Sequence, residues 1–176
     1  MKSVRWLGAA IAAVLLVLAG CTTPSANTAA TVNNQQIPVE SVNATVQAIG
    51  GTTAEEGALA DAHATVLSYA IRGQIARTIA AEQNIQLTGD PRTAVLTATP
   101  GLAKYAENPT VAGFIDDVVD TTIVVNTIGQ PAFLAKVAQA DVQVNPRYGS
   151  WSVATAAVSP AGGQLSEPWV TPTPPA

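Results

Sequence analysis

The sequence predicts a mainly α domain with short strands near its two ends, and three observations lead there. Leu67, Ile71, Ile75 and Ile79 recur every fourth residue inside an unbroken stretch, which is the period of a long helix with an apolar face. Thr31–Ile37 and Asp141–Asn145 read instead as extended chain, the second alternating polar and apolar residues as a strand does. The only cysteine, Cys21, stands where an apolar run stops, so the domain is expected to follow an export segment.

That segment has three parts. Lys2 and Arg5 give a basic start, fourteen uncharged residues follow from Trp6 to Ala19, and small residues precede the cysteine. Fourteen residues in a helix span about 21 Å, short of the roughly 30 Å hydrocarbon core, so a cleaved signal is expected rather than a spanning helix. Leu18-Ala19-Gly20-Cys21 resembles a bacterial lipobox, which implies that the Cys21 thiol takes a diacylglyceryl group and becomes the new N-terminus. The expected location is the outer face of the cytoplasmic membrane, held by lipid.

Loss of residues 1–20 leaves 6 basic against 12 acidic residues, a net charge of −6. A chain of that sign offers no basic surface for a phosphate backbone, which argues against nucleic-acid binding. Acylation of Cys21 leaves no thiol for a disulfide, a metal site or a nucleophile. No glycine-rich phosphate loop, H-E-x-x-H or G-x-S-x-G appears, so no cofactor, metal or enzyme chemistry is expected.

Residues 21–30 are small and uncharged after the cysteine, suiting a flexible tether. A short strand from Thr31, an Asn33-Asn34 turn and a second extended piece come next, because asparagine tolerates the positive φ of a tight turn. Pro38 fits a helix start, Val39, Val42, Val46 and Ile49 follow at helical spacing, and Gly50-Gly51 stops them. Thr53 and Glu56 form a capping-box pattern opening a helix from about Ala54 to Asn84, in which Gly73 marks a close helix crossing. Asp90 and Pro91 are read as cap and first residue of another helix, and Leu102–Ala106 as a further short one. Thr110–Ile128 has a helical stripe, although its β-branched run Thr121–Val125 also suits a strand. A last helix is expected over Pro131–Ala140, with the domain ending at 158 and a Pro/Gly-rich extended tail over 159–176.

Few residues carry candidate chemistry. Asp116, Asp117 and Asp120 lack the glycine turn and alternating oxygens of a calcium loop, and read as the solvated face of a helix. His63, the only histidine, precedes Leu67 by one turn and has no nucleophile to serve, so a packing or capping role is expected. Arg147, Tyr148 and Trp151 gather a cation and two aromatics beside a turn. They either wedge the C-terminal strand onto the helices or form part of a recognition surface.

Two distant segments resemble a known family. Ala30-Thr31-Val32-Asn33-Asn34-Gln35-Gln36-Ile37 and Ile71–Thr88 (IRGQIARTIAAEQNIQLT) are similar to the N-terminal domain of SurA-type chaperones and PrsA-type foldases. Asn34 and Asn84 stand where that family often has glycine, a mild change because asparagine also enters positive φ. Val142–Trp151 resembles the strand that closes such domains by pairing with the N-terminal strand. The resemblance implies a helical domain over 31–158, closed by a small antiparallel sheet joining Val32 and Val144. The inserted parvulin isomerase domain is missing; Gly162-Gly163-Gln164-Leu165 is only superficially similar to one of its turns. The implied role is a holdase that covers unfolded exported polypeptides without isomerase chemistry. A lipoprotein that binds or scaffolds one partner or small ligand is the alternative.

Overall fold

The computed structural model describes residues 25–50 and 56–160. The signal segment, the lipobox Leu18–Cys21 and the Thr53 cap therefore lie outside the described residues, as do residues 161–176. No helix among the described residues is long and apolar enough to cross a membrane.

The chain is mainly α, with six helices and two small antiparallel sheets among the described residues. Strand β1 (Thr28–Val32) and strand β2 (Gln35–Pro38) form a hairpin turned by Asn33 and Asn34, whose φ values are 47° and 68°. Both turn residues are left-handed, the geometry that matches the natural twist of paired strands. Strand β3 (Val142–Val144) adds to the other side of β1, with Ala30 opposite Val144 and Val32 opposite Val142. β1 is thus the central strand, and the two ends of the domain are neighbours through it.

This corrects the expected tether over 21–30 at its C-terminal end, residues 21–24 lying outside the described residues. Thr28, Ala29 and Ala30 are already buried in the sheet, and the Thr28 N–H donates to the Ser25 carbonyl. Small neutral residues suit a loose linker, but they equally suit a central strand pressed against a helix, and here burial decides.

Helix α1 (Val39–Ile49) buries Val42, Thr45 and Val46 and ends on left-handed Gly50. Helix α2 (Glu56–Gln83) is the axis of the domain, with Leu67, Ile71, Ile75 and Ile79 in the main core. It stops at Asn84, which adopts a φ of 54°. Helix α3 (Asp90–Ala98) starts after Gly89; Asp90 sits in its first turn and no side chain caps it, so the expected cap is absent. The next short helix, α4 (Pro100–Ala103), lies slightly earlier than expected and continues as turns.

Helix α5 (Pro109–Ile128) settles the ambiguity of the β-branched run in favour of helix. The hydroxyls of Thr121, Thr122 and Thr127 donate to the carbonyls four residues back, so each is satisfied within the helix. Packing on two sides does the rest. Ile115, Val119 and Ile123 join Val95 in a second apolar cluster, while Val124 points into the main core. Helix α6 (Gln130–Val137) follows Gly129 and ends earlier than the expected Ala140.

A hairpin of strands β4 (Ser150–Ser152) and β5 (Ala157–Ser159) closes the described chain, and its existence was not expected from the sequence. Ser159 pairs with Ser150, so the ordered domain runs past the expected boundary at 158. The hairpin is fastened to α2 by polar contacts. Arg72 donates to the carbonyls of Thr155 and Ala156, and the Val158 N–H donates to Ser68 Oγ at 2.8 Å.

Candidate functional site

Three features around α2 bring together most of the candidate residues. The first is the crossing of α2 and α5. Gly73 is buried there, and a Cβ on it would stand 2.2 Å from Asp117 Oδ1 and 2.7 Å from Asp117 Cβ. Only glycine lets the carboxylate approach so closely, and the expected close crossing is found at this residue. One turn further along α2, Arg77 Nη1 reaches Asp117 at 2.8 Å and Asp120 at 3.2 Å. Arg92, at the start of α3, pairs with Asp116.

The expected solvated acidic face is corrected at Asp117 and Asp120, while Asp116 stays half exposed. Asp120 is buried, and the Asp117 side chain is 14 % exposed. Burial pushes the Asp117 carboxyl up to about 7, against the opposing pull of Arg77. Burial raises Asp120 as well, again against Arg77. The physical reason lies in α5 packing on both sides. The face opposite its α3 contacts meets α2 rather than water, and Gly73 makes the room. Among the described residues no cluster of three or more acidic, histidine or cysteine side chains could hold a metal ion.

The second feature is a groove between α1, α2 and α5. A cleft of about 580 Å³ has Ile37, Val42, Val66, Ala70, Leu87 and Phe114 on its apolar walls, with the Arg77–Asp117–Asp120 cluster and the Arg92–Asp116 pair at its polar end. A neighbouring cleft of about 380 Å³ is walled by Val46, Ile49, Ala62, Thr65, Val66 and Phe114. Val66 and Phe114 line both, so the two are adjoining stretches of one groove. Ile49 is one of two large apolar side chains that stay exposed among the described residues, and it lines the second cleft. Phe114 is held edge-on against Tyr69, with ring centroids 5.7 Å apart.

The third feature contains His63. Its Nδ1 lies 2.7 Å from the Leu59 carbonyl, and its Nε2 lies 3.1 Å from the Asn43 carboxamide of α1. Its ring packs near Tyr148, 5.9 Å between centroids. The histidine ties α2 to α1 and to the C-terminal segment, a packing role as the sequence suggested. Val39, Asn43, Ala60, His63, Arg147 and Tyr148 line a pocket of about 260 Å³.

The structure divides the aromatic and cationic trio. Tyr148 is buried in a 3₁₀ turn over Pro146–Tyr148, which Asn145 opens by accepting from the Arg147 N–H. Burial raises its phenol, with the Arg147 charge opposing. Trp151, on β4, packs against the main core, and its Nε1 has no hydrogen-bond partner among the described residues. These two wedge the C-terminal segment onto the helices. Arg147 alone is exposed at a pocket. Lipidation at Cys21 and its lipobox fall outside the described residues.

Sequence reasoning missed Arg77, Arg92 and Asn43. Gly73 and Arg77 are spaced by four, which places them on one face of α2, and that spacing was the available signal. Nothing local announces Asn43 or Arg92, whose partners lie 20 and 24 residues away. Comparison with protein-family models, with curated proteins and with solved structures finds no match for this chain.

Proposed function

We propose that this chain is a lipoprotein anchored through Cys21 outside the cytoplasmic membrane, where it binds apolar segments of exported polypeptides as a holdase. The observation that carries this reading is the α1–α2–α5 groove, in which an apolar cleft with Ile49 exposed adjoins a larger one that has both apolar and charged residues on its walls. An amphipathic or extended segment laid in such a groove is held by burial of its apolar side chains, which needs no nucleotide and no covalent step. The lipobox and the resemblance of Ala30–Ile37 and Ile71–Thr88 to SurA-type domains support the same reading. A lipoprotein for one small ligand or partner is favoured by a different observation. About 580 Å³ with a charged end is the size and character of a small-molecule pocket.

The test is aggregation of an unrelated denatured protein, followed by light scattering, with the mature lipoprotein held in lipid nanodiscs. The wild type should suppress scattering near stoichiometric ratios. Ile49→Glu places a charge at the groove on an exposed residue, so the fold should survive while suppression falls several-fold. Absence of suppression by the wild type at several-fold excess would reject the holdase, and a single saturable crosslinked partner would then favour the ligand-specific reading.

A further inference from the structure

The mature chain has six cations, and five of them are already engaged. Arg72 holds the hairpin carbonyls, Arg77 and Arg92 pair with the aspartates of α5, Lys136 pairs with Glu82, and Lys104 lies over the Tyr105 ring. Arg147 has no carboxylate partner among the described residues, and it stands at the rim of the pocket lined by His63, Asn43 and Tyr148. In a mature chain whose expected net charge is −6, the one cation without a partner among the described residues lines a cavity.

We propose that this pocket captures the free C-terminal carboxylate of a peptide. A guanidinium matches a carboxylate by two parallel N–H donors and stays charged at any physiological pH. The Asn43 carboxamide and the Tyr148 hydroxyl are neutral groups able to donate beside the guanidinium, and His63 lines the same pocket. A phosphate dianion would carry a second charge toward Glu40, which lines the adjoining cleft. That cleft shares Val39 and Asn43 with the pocket and runs past Asn27 and Gln47. Carboxamides suit the N–H and C=O groups of peptide backbone, so the last residues of a chain lie along α1 while the terminus meets Arg147. The site is separate from the apolar groove, and the inference does not depend on the holdase reading.

Calorimetric titration of the full chain in detergent micelles tests it, with a short Ala/Val peptide as free acid, the same peptide as C-terminal amide, and inorganic phosphate. The free acid should bind at least about tenfold more tightly than the amide, as expected for loss of a charge-assisted hydrogen bond. Arg147→Ala should abolish that difference without moving the melting transition, and Arg147→Lys should retain part of it. Ile49→Glu should leave it intact, which separates this site from the groove. Equal binding of acid and amide, no binding of either, tighter binding of phosphate, or full affinity in Arg147→Ala would each overturn the assignment.

Discussion

Helix α2 carries a polar cluster on two of its sides, and they differ in what is left over. Toward α5, Arg77 donates to both Asp117 and Asp120, so its guanidinium is engaged within the chain. Toward α1 and the C-terminal segment, His63 is satisfied by Leu59 and Asn43, while the Arg147 guanidinium beside it has no partner among the described residues. The first cluster holds two helices together. The second has donor capacity to spend on something outside the chain. Completeness of pairing, rather than density of charge, separates a structural polar cluster from a recognition site.

The comparison predicts opposite responses to the loss of an arginine. Arg77→Ala strands the buried Asp120 and the largely covered Asp117 and should cost about 3 kcal/mol, measured by urea denaturation. Arg77 is itself 43 % exposed, which keeps the loss below that of a fully enclosed pair. A loss under about 0.5 kcal/mol, the usual surface value, would break the distinction between the clusters.

Gly73→Ala sharpens the packing side of the argument. Helix propensity alone would favour alanine by about 1 kcal/mol. The new methyl would overlap both the carboxylate and the Cβ of Asp117, so α5 has to move, and a net loss of about 2 kcal/mol is expected. A gain in stability would show that the crossing is looser than its geometry.

The pH dependence is next in size. The Asp117 carboxyl lies near 7 in the folded chain against an ordinary 3.8, so between those values the folded state holds more protons than the unfolded state. Stability should therefore fall as pH rises through that window, by up to about 1.4 kcal/mol per pH unit from this group. Asp117→Asn should flatten the slope, and an unchanged slope would locate the titrating group elsewhere.

Arg147→Ala is the smallest expected change in stability, within about 0.5 kcal/mol, because the side chain is exposed and holds no partner among the described residues. A large loss there would show a structural role and erase the contrast.

Sequence alone determined the elements whose cause is local. Four isoleucine and leucine positions at helical spacing in α2, the Asn33-Asn34 turn, Gly50 as a helix stop and the strand around Val142–Val144 all follow from side-chain period and φ preference. Resemblance added that β3 would pair with β1, and it does. Tertiary structure alone decided which polar residues are buried. Asp117 and Asp120 sit on a face that reads as solvent-exposed until a second helix covers it, and Gly73 determines how closely that helix comes. The same holds for Thr28–Ala30, whose small side chains read as linker until β2 and β3 pair on either side. Arg147 parted from Tyr148 and Trp151 for the same reason. Burial and pairing are relations between distant residues, and a pattern read along one chain segment contains only half of each relation.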